Sequence, residues 1–518
     1  MQKITIDPIT RIEGHLKIEV EVDNGKVVDA KSSGEMFRGW EIILKGRNPV
    51  DAQMITQRIC GVCPASHAQA STLNLDSALG VKPPENGRLI RNLMLGANYI
   101  QSHILHFYHL AALDYVDITA ILNYKGKDPK LNRVKAWVKS EVDSGRTTAA
   151  APFLPRYKGN YITDTELNIA AIADYLKALE MRSKAHEMLC IFGGKMPHEM
   201  GIMPGGATQK PTVDKIIAYA SRLKELQTFI DNNYIPDVIE VAKVYKEYFS
   251  IGKGCGNFLS YGVFEEDIDG NNKLLPPGVY IDGKLKPFSA DKIAEYVKNS
   301  RFSSGSGLHP SKGETVPQPE KPGSYSWIKA PRYDKKVVEV GPLARMVTAH
   351  LSGKNENVSK LIEGTLKIFN ADINALFSVL GRHAARAFDC KVVADRCAEW
   401  VKQLDPSKPV HNKFEIPAEG KGMGLTEAPR GSLGHWITIK NKKIDRYQCV
   451  VPTTWNAGPT DDMGQKGPIE QALIGTPIKD PKNPIEAVRV VRSFDPCIAC
   501  AVHMINPDGE LISKFRIL

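Results

Sequence analysis

The chain has 518 residues, of which 42% are hydrophobic and 24% charged, and its 68 basic and 58 acidic residues give a formal net charge of +10. This composition excludes a disordered chain, and the length exceeds what a single hydrophobic core holds, so two or three joined subdomains are expected. The basic residues are scattered among acidic ones without a long run, which argues against a nucleic-acid-binding surface.

The N-terminus and the hydropathy predict a soluble chain without an export signal of its own. Residues 1–8 include acidic and proline positions where a signal peptide needs an apolar stretch. No apolar run reaches the roughly 18 residues that a membrane-spanning helix requires.

The predicted elements begin with a hairpin. Alternating side chains over residues 16–22 predict a strand, and residues 23–25 predict the turn before a returning strand. A helical pattern then starts near Pro83 and runs to about Asp117. Further long helical patterns cover residues 164–192, 212–249 and 357–404.

A section rich in glycine and proline, residues 250–340, contains short strands such as 278–282. Strands return at residues 436–439 and 447–451. The predicted fold class is therefore α+β and mainly helical, with a central bundle of long helices flanked by small mixed α/β subdomains. The predicted division is an N-terminal α/β segment, a helical bundle, a strand-containing insertion, a segment of helices and strands, and a C-terminal extension, at residues 1–80, 81–250, 251–345, 346–503 and 504–518.

Cysteine pairs provide the clearest chemical signal. The nine cysteines are odd in number and sparse, which argues against a disulfide framework. Cys60 and Cys63 form one CxxC pair, and Cys497 and Cys500 form another near the opposite end of the chain. Two intervening residues allow both sulfurs to bind one ion, and four thiolates suit zinc, an iron–sulfur cluster, nickel or copper(I). In the second pair, Asp495 is predicted to cap a helix that carries both cysteines in its first turns.

A structural zinc site is the main alternative at this stage. Such sites usually join their CxxC pairs through short loops to support a small domain, whereas these pairs tie together the two ends of a large chain. Ligand count alone also permits an iron–sulfur cluster. Each motif ends in a histidine, His67 or His503, and has a charged residue, Arg58 or Asp495, before its first cysteine. Such proton-handling groups favour a catalytic metal.

Several ordered motifs carry a resemblance to a known family. They are RIEGH (11–15), MFRG (36–39), CGVCPASH (60–67), HFY (106–108), PGG (204–206), EAPRGS (427–432), VPTTWN (451–456), GTP (475–477) and DPCIACAVH (495–503). Together they span nearly the whole chain, which resembles the large subunits of nickel–iron hydrogenases. The resemblance implies the fold of those subunits and the reversible, heterolytic oxidation of dihydrogen to protons and electrons.

The resemblance also implies the ligands of a nickel–iron centre. Cys60 and Cys497 would be terminal nickel ligands. Cys63 and Cys500 would bridge nickel to an iron that carries two cyanides and one carbon monoxide. A separate magnesium, or iron, would bind Glu41, the backbone carbonyl of Cys449 and His503.

Further residues would serve the same centre. Glu13, near Cys497, would be the proton gate, and Arg430 would lie over the open coordination site, which makes these three the implied catalytic residues. His67 would hydrogen-bond a bridging sulfur. The remaining two residues, Pro429 and Thr453, would shape the pocket around the diatomic ligands.

One position departs from the pattern of the family. Many relatives have an aspartate where this chain has Ser102, so Arg430 is expected to lose a partner. Taken alone, Glu13 would be a surface acid and Arg430 a turn residue paired with a carboxylate. The histidines at 103, 106 and 109 are expected to be hydrogen-bonded rather than metal-bound. Plain buried thiols are expected at the remaining cysteines, Cys190, Cys255, Cys390 and Cys397.

The resemblance implies partners and processing as well. An iron–sulfur small subunit would accept the electrons and form a heterodimer with this chain. It would carry the chain to the periplasm or the periplasmic face of the membrane, with a cytoplasmic location as the alternative. Nickel and iron insertion proteins would load the site, and a maturation protease would cut between His503 and Met504. The competing functions are a zinc-binding or metal-free relative with a structural role or a role as a quinone-reductase subunit.

Overall fold

The computed structural model describes residues 1–145, 161–303 and 305–498. Within these ranges, long helices form the centre of the molecule, and six small antiparallel sheets of two or three strands lie among them. The predicted α+β, mainly helical class is confirmed. The predicted subdomain boundaries stay predictions.

The N-terminal sheet consists of β1 (Gln2–Ile6), β2 (Leu16–Asp23) and β3 (Lys26–Gly34), in that order. Every second residue of β2 is buried, because alternate side chains of a strand point to opposite faces. Asn24 and Gly25 have φ of 48° and 73°, which produces the predicted two-residue turn.

Eight α-helices follow among the described residues up to 244, and α4 is buried along nearly its whole length. Their bounds are α1 (Trp40–Leu44), α2 (Asp51–Thr56), α3 (Pro64–Leu79), α4 (Glu85–Ile104), α5 (Pro129–Ser144), α6 (Thr165–Gly193), α7 (Val213–Phe229) and α8 (Ile235–Val244). The predicted helix from 83 to 117 continues beyond α4 as a π-helical segment, Leu105–Ala111. A second π-helical segment, Ile230–Tyr234, interrupts the predicted helix over 212–249.

Nine short strands lie between α6 and α9. They are β4 (Ile202–Met203), β5 (Gly206–Ala207), β6 (Phe258–Ser260), β7 (Val263–Glu265), β8 (Lys273–Leu275), β9 (Gly278–Ile281), β10 (Lys284–Lys286), β11 (Ile293–Tyr296) and β12 (Ala330–Tyr333). Their sheets have the orders β4-β5, β10-β9-β6, β7-β8 and β11-β12.

The helical pattern predicted over 357–404 corresponds to two helices rather than one. After α9 (Pro342–Ser352), α10 (Glu356–Phe369) ends at Asn370, whose φ of 48° stops the helix. The next helix, α11 (Val379–Gln403), is capped by the Ser378 hydroxyl, which accepts a hydrogen bond from Gly381 N–H.

The C-terminal sheet positions the site. It comprises β13 (Glu419–Ala428), β14 (Gly431–Lys440) and β15 (Lys443–Val450), followed by α12 (Pro452–Asn456), α13 (Pro468–Leu473) and α14 (Ile485–Ser493). Gly422 and Gly424 let α3 lie directly on β13, since a Cβ at either would be 2.0 Å from a carbonyl oxygen of α3. The start of α3 and the β13–β14 turn thereby meet, around a small apolar cluster that includes Cys60, Cys63 and Cys497.

Within the described ranges, no helix is both long and apolar enough to span a bilayer.

Candidate metal centre

The first CxxC motif lies in the turn that leads into α3. Cys60 is extended, with φ −142°, and its Sγ accepts hydrogen bonds of 3.3 Å from the backbone N–H groups of Val62 and Cys63. Pro64 begins α3, a position where the missing N–H costs no helical hydrogen bond. Backbone donors at a helix start stabilise thiolates, so the local fold favours metal-binding sulfur.

The predicted helix cap at Asp495 is wrong. Cys497 is extended and forms a parallel β-bridge with Glu13, and helical conformation begins only at Ile498. The N–H of Glu13 donates to Pro496 O at 3.3 Å, and the N–H of Ile498 donates to Glu13 O at 2.6 Å. These bridge hydrogen bonds hold the motif extended, and Asp495, with φ 55°, turns its carboxylate to a buried arginine instead of to a helix end.

The fold brings three of the predicted cysteine ligands together. Cys60 Sγ lies 3.4 Å from Cys497 Sγ, and the sulfurs of Cys60, Cys63 and Cys497 all lie within 4.8 Å of one another. Each of these cysteines is at most 2% exposed. Cys500 and His503 lie outside the described residues. Converging, buried thiolates are the donor set that soft metals such as nickel and iron prefer, so the residues present fit such a centre.

Glu13 lies beside the sulfur cluster. The thiol of Cys497 donates to Glu13 Oε2 at 3.3 Å, and the β-bridge fixes the backbone of both residues. Glu13 is only half-buried, so it lies between the buried cysteines and the exposed part of the molecule. Glu13 is therefore not the surface acid that its sequence position alone would predict, because it contacts Cys497.

Arg430 lies on the two-residue turn that connects β13 and β14, next to Pro429. Arg430 is 2% exposed as a residue. Its Nη2 lies 3.1 Å from Asp495 Oδ1, and its Nη1 donates to Ser102 Oγ at 3.4 Å. Burial disfavours the cation, but the Asp495 carboxylate and the cysteine thiolates raise the pKa of Arg430 well above its usual value. Despite Ser102, Arg430 therefore keeps an acidic partner.

Sequence reasoning missed the arginine that holds this turn in place. Arg345, on α9, donates to Pro429 O at 2.9 Å and pairs with Glu427 at 2.9 Å and with Asp389. Asp389 in turn contacts His103 at 2.9 Å. No local motif indicates Arg345, because its partners come from α4, α11 and β13 and meet only in the folded chain.

The other pocket residues surround the cluster. Thr453 Oγ1 accepts a hydrogen bond of 3.0 Å from Cys497 N–H, so the hydroxyl's own proton is not used in this contact. His67 lies on the second turn of α3, with Nδ1 3.4 Å from His435 Nε2. Burial lowers the pKa of His67 to about 4, against the smaller opposing effect of Cys60, so this ring is neutral at pH 7.

Two of the three predicted ligand residues of the second metal site, Glu41 and Cys449, lie in contact. Glu41 Oε1 accepts a 2.9 Å hydrogen bond from Cys449 N–H, and Thr315 donates to the other carboxylate oxygen. Glu41 and Cys449 line a cavity of about 60 Å³, together with Glu295 and Lys329. Carboxylate oxygens at its wall suit a hard cation such as magnesium.

Of the three helix histidines, His103 and His106 make hydrogen bonds, as expected, whereas neither ring nitrogen of His109 has an aligned hydrogen-bond partner among the described residues. His103 contacts Asp389, and His106 Nε2 lies 2.7 Å from Arg492 O. The remaining cysteines are free thiols, but only Cys390 and Cys397 are buried as predicted, whereas Cys190 and Cys255 are half-buried.

Glu199 is a buried acid that sequence reasoning also missed. It is fully buried, and neither carboxylate oxygen has a hydrogen-bond partner among the described residues. Burial raises its pKa from 4.5 to about 7, against the smaller opposing effects of its own backbone, Arg58 and Lys195. Nothing local in the sequence indicates that the side chain of residue 199 points inward.

We expect Glu199→Gln to stabilise the protein at pH 8 but not at pH 4. Between about pH 4.5 and 7 the folded state retains a proton that the unfolded state releases. Stability therefore falls as pH rises through this window, by up to roughly 3 kcal/mol. Glutamine removes the titration. Urea unfolding of the variant and the wild type across this range measures the difference, and a difference that does not change with pH would contradict the assignment.

Comparisons with known proteins agree on one family. A family model described as nickel-dependent hydrogenase matches residues 38–503. The periplasmic [NiFeSe] hydrogenase large subunit of Desulfomicrobium baculatum is 49% identical over 98% of this chain and 96% of its own length. The hydrogenase-2 large chain of Escherichia coli K12 is 37% identical over 100% of both chains.

Solved structures give the same result. The [NiFeSe] hydrogenase of Desulfomicrobium baculatum matches with a TM-score of 0.85 at 48% identity, covering 97% of this chain and 100% of that chain. The enzyme of Desulfovibrio vulgaris Hildenborough matches with a TM-score of 0.87 at 45% identity, again over 97% and 100%.

Proposed function

The chain belongs to the nickel-dependent hydrogenase family, as the large subunit of a [NiFe] hydrogenase, and on that premise we propose that Cys60, Cys63, Cys497 and Cys500 hold its nickel and iron. Cys60 and Cys497 are the proposed terminal nickel ligands, and Cys63 and Cys500 are the proposed bridging ones. The convergence of three buried sulfurs from opposite ends of the chain carries this proposal. The relatives above include enzymes named for selenium, whereas this chain has cysteine at all four positions, so the proposed site is all-thiolate.

The bound metals supply the redox-active Lewis acid at which dihydrogen is split into protons and electrons. The residues of the chain handle the proton. Cys497 Sγ lies 3.3 Å from Glu13 Oε2, so a proton on this sulfur is within reach of direct transfer to the carboxylate. Because the site is buried and apolar, charge on the thiolates needs compensation, and the permanently cationic Arg430 provides it.

The proposal also covers the small ligands of the iron, the residues around them and the second metal. The iron would carry two cyanides and one carbon monoxide, Thr453 would donate to a cyanide, and Pro429 would pack beside these ligands. His67 hydrogen-bonds a bridging sulfur. A magnesium, or iron, binds Glu41, the carbonyl of Cys449 and His503. The proximity of Glu41 to Cys449 supports this second site.

The partner is an iron–sulfur small subunit, since the relatives are large subunits of hydrogenases. We propose that this subunit takes the electrons and carries the chain to the periplasm, the location printed for the Desulfomicrobium relative. Insertion proteins load nickel and iron, and a protease then cuts after His503. The family match, which ends at residue 503, supports this cleavage point.

Metal content and mass test the proposal together. In heterodimer purified without oxygen, we expect equimolar nickel, infrared bands from bound cyanide and carbon monoxide, and a large subunit that ends at His503. In cells deprived of nickel, the subunit should retain residues 504–518. Zinc alone, with no such bands and an uncut chain, would replace the catalytic proposal by a structural zinc site.

A further inference from the structure

The Asp495 carboxylate lies between two buried arginines. Its Oδ1 is 3.1 Å from Arg430 Nη2, and its Oδ2 is 4.0 Å from Arg386 Nε. All three residues are at most 2% exposed. Among the described residues, neither oxygen of Asp495 has an aligned hydrogen-bond donor. Charge attraction rather than hydrogen-bond geometry therefore sets the position of the carboxylate, and such attraction is strong in a buried environment.

Arg386 itself is well anchored. It extends from α11, where Nη1 donates to Arg382 O at 3.2 Å, to the end of α14, where Nη2 donates to Ser493 O at 3.2 Å. Its Nε, the atom nearest to Asp495, has no hydrogen-bond acceptor among the described residues. A fixed guanidinium thus faces the carboxylate two residues before Cys497.

Because Ser102 is uncharged, Arg430 depends on Asp495 for a carboxylate partner. The serine hydroxyl accepts from Arg430 Nη1 at 3.4 Å but carries no charge. Within the described part of the chain, Asp495 is the only carboxylate within ion-pair distance of Arg430. Any shift of Asp495 therefore moves the single acidic anchor of Arg430.

We propose that Arg386 is a positioning residue for the metal centre, which shares Asp495 with Arg430 and thereby fixes where the Arg430 guanidinium lies beside the cysteine cluster. The inference rests on the proposed function for the role of Arg430 there. Without the charge of Arg386, Asp495 has one attracting cation instead of two and moves toward Arg430, which displaces that guanidinium from Ser102.

Arg386→Met and Arg386→Lys, each in the intact heterodimer, test whether Arg386 positions the Arg430 guanidinium or only stabilises the fold. In Arg386→Met with nickel bound, we expect shifted cyanide and carbonyl bands and a fall in kcat of about 10- to 100-fold. Lysine keeps the charge, so its bands should match the wild type. A crystal structure of Arg386→Met should show Arg430 Nη1 away from Ser102 Oγ.

Arg91→Met is the matched control. Arg91 is also a buried arginine that pairs with an aspartate, at 2.7 Å from Asp76, near the far end of α3 from Cys63. A helix of this length places the pair roughly 20 Å from the cysteines. This variant should lower the thermal midpoint and leave the infrared bands unchanged.

Ser102→Asp provides the rescue. It gives Arg430 a carboxylate that does not depend on Arg386, so Arg386→Met/Ser102→Asp should regain the wild-type bands. Unshifted bands in nickel-loaded Arg386→Met, shifted bands in Arg386→Lys, or no recovery in the double variant would each overturn the inference. If Arg386→Met does not fold, the lysine variant decides alone. Absence of the bands in the wild type would instead overturn the proposed cofactor.

Discussion

Cys497→Ser is expected to abolish hydrogen oxidation, with a fall of more than roughly 1000-fold, or about 4 kcal/mol in transition-state stabilisation. The sulfur of Cys497 lies 3.4 Å from that of Cys60 and also contacts Glu13, so the substitution removes a proposed nickel ligand that is also the proposed first proton carrier. A hydroxyl is a hard, weakly acidic donor that binds nickel poorly. Nickel content and hydrogen-dependent reduction of an artificial acceptor should fall together.

Cys190→Ser is the matched control for this loss. Cys190 is a free, half-buried thiol on α6, outside the cysteine cluster. Its serine variant should keep wild-type nickel content and activity, because a half-exposed hydroxyl finds water as a partner. If Cys497→Ser retained equimolar nickel and a tenth of the activity, Cys497 would not be a ligand and the site would have to be reassigned.

The sequence predicted the parts of the site that local patterns encode. The two CxxC pairs could be named from their spacing alone, whereas Glu13 and Arg430 were implied only by the family resemblance of the motifs that contain them. The long helices and the N-terminal hairpin were predictable as well, since their apolar periodicity or turn residues identify them.

What the sequence could not provide depends on contacts between distant segments. Asp495 looks like a helix cap in isolation, but the bridge between Glu13 and Cys497 keeps that segment extended. Arg386 is one of several arginines on a helix until its proximity to Asp495 is seen. A strong local propensity at residue 495 is thus overridden by tertiary pairing, and the partners of a buried charge become known only from the fold.

Glu13→Gln is expected to lower hydrogen oxidation by about 100- to 10,000-fold while leaving nickel bound. The amide fills the same space beside Cys497 and keeps the backbone bridge, but it does not accept a proton from the sulfur. Proton transfer then becomes limiting, so the rate should show a larger solvent deuterium isotope effect than the wild type. Glu13→Asp keeps a carboxylate at a longer distance and should retain more activity than the glutamine variant.

The control for Glu13 is Glu19→Gln on β2, where the carboxylate pairs with Lys3 at 3.1 Å near the surface. This variant alters a carboxylate in the same N-terminal region of the chain, on the strand β2 that follows Glu13. It has no contact with the cysteines, so its activity and isotope effect should match those of the wild type. The nickel content of Glu13→Gln distinguishes a proton carrier from a structural residue. If Glu13→Gln lost nickel in proportion to its activity, Glu13 would support the fold of the Cys497 segment, and the proton would leave the cluster by another route.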